Sequence, residues 1–292
     1  MEKLQHALDK ARAARRESEG ARSSDPTTRS QSKRKADTGQ ASSSASRKSE
    51  PRDAVWAELR QFNPDSATLL RNRIVTFDAG MGATHFDILR TKILLQMRRN
   101  GWKRLAITSP MSSCGKTTTA CNLALGLSRQ PDLSAMLLEM DLRRPNMANV
   151  LGYKSEHDIT KMLSGEVPFA EQAVRIRGNV AIAMARRPSN DPTRYMLSNE
   201  TIGTIAYLEH AYQPDLMIFD LPPLLVSDDT RAFLGNVDCA LMVARAEKSS
   251  IAQIDICERE IAEHTNMLGV VLNQCRFEDD ISGYDYDYKQ DA

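Results

Sequence analysis

Gly115-Lys116-Thr117-Thr118 stands between a strand-like segment, Arg104 to Thr108, and a helix-compatible run from Lys116 to about Ser128. The loop between them reads Ser109-Pro110-Met111-Ser112-Ser113-Cys114. Backbone N–H groups of such a loop, with the N-terminus of the helix behind it, cradle anionic oxygens. A lysine at position 116 reaches the β- and γ-phosphates of a nucleotide, and the hydroxyl of Thr117 is placed to bind Mg²⁺. Ser112, Ser113, Cys114, Gly115 and Thr118 complete the expected cradle. The segment departs from G-x-x-x-x-G-K-[ST] at its first position, where Pro110 stands, and small serines fill its middle. A chance Gly-Lys-Thr at a helix start is the bland alternative, and the strand before and helix after weigh against it.

Two further segments end in carboxylates. Ala135 to Glu139 reads as a strand and continues Met140-Asp141-Leu142-Arg143-Arg144-Pro145, which by strand alternation puts Glu139 and Asp141 on one face. Leu216-Met217-Ile218-Phe219-Asp220 is apolar until its last residue and runs into Leu221-Pro222-Pro223. Ligands of open α/β sheets sit beyond the carboxyl ends of the strands. Thr117, Asp141 and Asp220 are therefore the expected Mg²⁺ ligands, directly or through water. Glu139 or Asp141 is the expected proton acceptor from an attacking hydroxyl. Lys116, Glu139, Asp141 and Asp220 form the expected catalytic set.

Apolar runs and helical patterns alternate along the chain that must position these groups. Further strands are expected at Val180 to Ala183, Leu216 to Asp220, Cys239 to Val243 and Val270 to Asn273. Helices are expected near Phe86 to Met97, Thr201 to Ala211 and Ile251 to His264. Strands apolar throughout need cover on both faces, so the expected fold is α/β, a doubly wound and mostly parallel sheet of the P-loop NTPase kind. Residues 53–277 form this domain. Residues 1–18 place Met1, Leu4, Leu8 and Ala11 at helical spacing, a short amphipathic helix, and 19–52 are too polar to offset the entropy of ordering.

The 292 residues carry 39 Lys and Arg against 38 Asp and Glu, a balance that gives no reason to expect a nucleic-acid partner. Five cysteines without a CxxC pair argue for reduced thiols in a cytosol rather than a zinc site. No apolar run reaches the roughly 18 residues of a membrane span. Residues 278–292 make an acidic tail in which Tyr284, Tyr286 and Tyr288 alternate with aspartates; it reads as a phosphate acceptor or as a solubilising tail.

The order of these motifs resembles the bacterial tyrosine kinases of polysaccharide synthesis and export, the BY-kinase group among the MinD/ParA-like P-loop ATPases. Ser109 to Thr118, Leu137 to Pro145, Ile218 to Pro223 and the cluster Gly283 to Tyr288 carry the resemblance, which runs from about Thr84 to the end. Phe86 to Thr91, Val226-Ser227-Asp228 and Gly269 to Asn273 add to it. It implies ATP and Mg²⁺ as cofactors and autophosphorylation of Tyr284, Tyr286 and Tyr288. Asn273 would read the adenine, or else be a strand-end turn residue. A homo-oligomer is implied, and a membrane-embedded polysaccharide co-polymerase whose cytosolic tail activates the kinase. The chain would then be cytoplasmic and recruited by that partner to the inner face of the plasma membrane. Glu139 stands where the group has Asp, Ser112-Ser113-Cys114-Gly115 replaces its P-G-x-G, and only Arg90 remains of its E-x-x-R-x-x-R assembly helix. The rivals are a switch ATPase of partition or positioning and a nucleotide-bound adaptor. The first lacks its second loop lysine, since Met111 stands there.

Overall fold

The computed structural model describes residues 50–276. The expected helix at 1–18, nearly all of the 19–52 linker, and the 278–292 tail with Tyr284, Tyr286 and Tyr288 lie outside the described residues. A helix begins at Glu50, slightly before the domain start expected near Asp53, and runs to Ala57. Its Trp56 is buried, donating from the indole N–H to the Tyr212 carbonyl at 2.8 Å.

Eight strands form one sheet: β1 (Arg60–Gln61), β2 (Arg104–Thr108), β3 (Ala135–Glu139), β4 (Ala173–Ile176), β5 (Val180–Ala183), β6 (Leu216–Asp220), β7 (Cys239–Arg245) and β8 (Asn266–Asn273). Their order is β1-β4-β5-β3-β6-β2-β7-β8. All neighbours are parallel except β4 and β5. The doubly wound, mostly parallel sheet is thus present, with β1 and β4 added to the strands expected from sequence. β4 and β5 make a hairpin in which Arg177 and Gly178 both take positive φ, 49° and 91°. The Arg177 guanidinium compensates by pairing with Asp78 at 2.6 Å and lying 4.0 Å over the Phe77 ring.

Alternation along the strands divides the core in two. Leu105, Ile107, Leu137, Ile218 and Leu241 face the helices Thr84–Asn100 and Lys116–Leu127 and pack with Ile93, Met97 and Leu123. Ala106, Met136, Leu138, Met217 and Phe219 face the other way, against Ile205 and Leu208 of the helix Asn199–Tyr212 and Cys257 and Ile261 of Ile251–His264. The helix Ile251–His264 starts on a capping box, Ser250 and Gln253 each bonding the other's backbone N–H. Among the described residues no helix is long and apolar enough to cross a membrane.

Candidate active site

The loop from Ser109 to Gly115 leaves β2 between its two neighbours, and contacts from several elements hold it. Leu224 and Leu225 N–H groups donate to the Ser109 and Pro110 carbonyls at 2.8 and 3.2 Å. From the end of β8, the Asn273 amide donates to Cys114 O at 2.9 Å and Gln274 to Ser113 O at 3.2 Å. Two residues turn the backbone into the left-handed region, Ser113 at φ 66° and Gly115 at φ 90°. At Gly115 an added Cβ would collide with the Asn273 amide. Gly115→Ala therefore combines left-handed strain of roughly 1–2 kcal/mol with overpacking of roughly 1–3 kcal/mol. The expected result is a loss of at least about tenfold in nucleotide affinity, measured by titrating a fluorescent ATP analogue.

The helix Lys116–Leu127 begins where the loop ends, so its free amides face the cradle. Lys116 is buried, with its ammonium 2.7 Å from Asp141 Oδ2 and 3.5 Å from Asp220 Oδ1. Burial works against that charge, but Asp220 and Asp141 together hold its pKa above the ordinary lysine value. Asp220 ends β6 with no exposed surface, and neither carboxylate oxygen has a hydrogen-bond partner among the described residues. Burial pushes its carboxyl up and Lys116 opposes the shift. The turn behind it is fixed, since Thr108 and Thr230 hydroxyls both donate to Pro222 O, at 2.8 and 2.6 Å. A sealed carboxylate that faces only Lys116 and the Thr117 hydroxyl suits a hard cation. Mg²⁺ binds through one or two carboxylates, a hydroxyl and phosphate oxygens, and the donor set Thr117, Asp220 and Asp141 fits it.

Glu139 departs from expectation. β3 ends at this residue, and the Leu142 N–H turns back onto Met140 O at 2.9 Å, so strand alternation does not extend to Asp141. Glu139 is buried, and its oxygens accept from three backbone N–H groups: Asn146 at 2.6 Å, Met147 at 2.7 Å and Ala185 at 2.8 Å. The expected pairing of Glu139 with Asp141 on one face is corrected accordingly. Glu139 fastens the loops after β3 and β5, and Asp141 alone of the two contacts Lys116.

Burial pushes the Glu139 carboxyl up to about 7, against the amide donors. A pKa raised on folding means the native state holds the extra proton. The contribution of this group to stability is therefore full below pH 4.5 and lost as the pH rises through about 7. Glu139→Gln cannot titrate. Chemical denaturation at pH 5 and pH 7 should show a fall in wild-type stability that is smaller in the variant.

Asp229, directly after Val226-Ser227-Asp228, is a residue that the sequence motifs do not mark. It is buried at the start of the helix Asp229–Leu234 and receives Arg143 at 2.5 and 3.1 Å and the Thr193 hydroxyl at 2.5 Å. Burial opposes its charge, yet Arg143 and Thr193 hold its carboxyl below the usual carboxylate range. Arg90 is spent inside the fold: it bonds Asp87 at 2.8 Å and Gly126 O at 2.9 Å, with Arg129 on the same Asp87. Asn273, at the end of β8, reaches the loop, where its amide N–H is engaged by Cys114 O.

A parallel β2 flanked by β6 and β7, its phosphate loop, and two carboxylates converging on the loop lysine define a P-loop ATPase fold. Within that class the chain's homologues are bacterial tyrosine-protein kinases. The tyrosine-protein kinase wzc of Salmonella typhi is 26% identical over 211 residues, 70% of this chain and 29% of that one. Tyrosine-protein kinase YwqD of Bacillus subtilis is 27% identical over 202 residues, 68% of this chain and 84% of that one. The solved kinase domain of the Escherichia coli tyrosine kinase ETK superposes with a TM-score of 0.60 at 20% identity, over 68% of this chain and 78% of that one. This chain thus spans less than a third of the length of wzc and most of YwqD. No family model matches the chain.

Proposed function

We propose that the chain is an ATP-dependent protein-tyrosine kinase serving exopolysaccharide or capsule biosynthesis or its regulation, with Tyr284, Tyr286 and Tyr288 among its acceptors. The observation that carries this reading is the contact of Lys116 with Asp141 at 2.7 Å beside the sealed Asp220. Loop amides and Lys116 bind the phosphates. As Lys116 turns to the phosphate oxygens, it releases Asp141, which accepts the proton of a tyrosine hydroxyl. The tyrosine oxygen bonds the γ-phosphorus as the bond to the β,γ-bridging oxygen breaks, and ADP leaves. Thr117, Asp220 and Asp141 would hold Mg²⁺, which would supply neutralising charge to the phosphates. Asn273 would meet the base once its amide leaves the Cys114 carbonyl.

The names of the relatives support the tyrosine acceptor, and the motif resemblance implies a homo-oligomer and a membrane-embedded activator that recruits the chain to the cytoplasmic face. The test is tandem mass spectrometry of the full chain after Mg-ATP, beside Lys116→Met and a variant with all three tail tyrosines changed to Phe. Phosphotyrosine on the tail that requires Lys116 is the expected result. ATP hydrolysis without phosphotyrosine, with the activating tail supplied, overturns it in favour of a switch ATPase. Nucleotide binding without either reaction leaves the adaptor.

A further inference from the structure

Two Arg-Arg-Pro segments, Arg143-Arg144-Pro145 after β3 and Arg186-Arg187-Pro188 after β5, leave the same edge of the sheet, because β3 and β5 pair in parallel. The two loops are joined. Ser189 N–H donates to Leu142 O at 2.8 Å, and Glu139 accepts from Met147 and Ala185, one amide beyond each strand. Thr193, next to Arg194 in the helix Pro192–Leu197, shares the Asp229 carboxylate with Arg143. The acids that partner this group are turned inward. Asp229 is 1% exposed against 47% for Arg143, and Asp158 is 11% exposed against 77% for Arg187, which it meets at 3.2 Å. Arg144 and Arg194 are exposed, and their guanidiniums have no partner among the described residues. Of the acids on these loops Asp191 is exposed, so the surface keeps an excess of positive charge. It also borders the reacting atoms, since Asp141 Oδ1 accepts from the Arg144 N–H at 3.1 Å.

We propose that this arginine surface docks the acceptor, selecting tyrosines flanked by Asp or Glu; the inference rests on the kinase reading. Guanidinium forks match carboxylates in geometry, and fixed loops lower the cost of presenting them. The chain supplies a segment of matching chemistry: residues 277–292 hold six acidic residues against one lysine, with aspartates between the tyrosines. A second copy's tail is therefore the occupant that the charge favours. Exposed pairs are individually weak and screened by salt, so docking is a sum over several arginines.

The probe is a labelled peptide of residues 277–292, beside the same peptide with Asp285 and Asp287 changed to Asn. The enzyme is the full chain with its own three tail tyrosines changed to Phe. Arg144→Glu/Arg187→Glu/Arg194→Glu is expected to weaken binding of the acidic peptide and raise its KM about tenfold, with kcat little changed. The Asn peptide should show a similar loss on the wild-type surface and little further loss on the variant. Equal KM and equal affinity for the two peptides on the wild-type surface overturns the proposal, and this arm stands even if the triple variant fails to fold. Peptide binding unchanged by the triple substitution, with binding to phosphatidylglycerol vesicles lost, also overturns it and assigns the surface to a membrane. If neither peptide is phosphorylated, the kinase reading fails, while the binding arm still decides the docking surface.

Discussion

Lys116→Met is expected to abolish phosphoryl transfer, by about a thousandfold or more, because the transferring group loses its charge partner in a reaction that is mostly positioning and neutralisation. The same variant should also be less stable. Lys116 faces Asp141 at 2.7 Å and Asp220 at 3.5 Å, and all three are buried. Removing the cation leaves two carboxylates facing each other out of water, a change that costs about 3–5 kcal/mol when a buried pair is broken. One carboxylate will then take up a proton, so the deficit should shrink as the pH falls. Adding Asp220→Asn to Lys116→Met should recover part of the stability and none of the transfer. Denaturant melts at pH 5 and pH 7, with phosphotyrosine read by mass spectrometry, check both halves. Full transfer by Lys116→Met would sink the assignment.

Asp141→Asn is expected to lower transfer by at least about a hundredfold, the usual scale for a lost general base, while leaving ATP bound. Glu139→Gln should do something different. A glutamine offers one oxygen where three amide N–H groups now bond two. Its NH₂ would meet a donor, leaving one amide unpaired at a cost of roughly 1–3 kcal/mol. The variant should therefore melt lower at acidic pH and retain transfer at a temperature where it is folded. Single-turnover rates at saturating ATP separate the two. Equal losses in both variants would return Glu139 to the reaction.

The sequence carried the central strands well because they are buried on both faces: β2, β3 and β6 span the segments their apolar runs and flanking polar residues mark. β4 was not legible. Its four residues include Arg175, and it pairs across a hairpin whose turn depends on Arg177 meeting Phe77 and Asp78, a hundred residues away in sequence. The short helices Met147–Leu151 and Ile159–Leu163 span five residues each, too few for a periodic signal. Lys116, Asp141 and Asp220 were legible as types at strand ends. Two carboxylates two apart looked equivalent on paper, and only the turn at Met140 sends one to the lysine and the other to backbone amides. Asp229 needed Arg143 and Thr193 beside it, and those contacts are 86 and 36 residues distant.

The strand order has a kinetic consequence. β2 carries the phosphate loop, yet its neighbours β6 and β7 lie more than a hundred residues further along the chain. During synthesis β2 therefore has no partner until nearly all of the sheet has left the ribosome, and loop closure must come before its contacts reward it. β4 and β5, joined by three residues, can pair at once. Nascent chains stopped before residue 216 should protect the hairpin from proteolysis and leave the phosphate loop open to it. The proposed nucleotide site thus exists only once β6 has emerged, and ATP can stabilise only a chain in which β2, β3 and β6 are already paired.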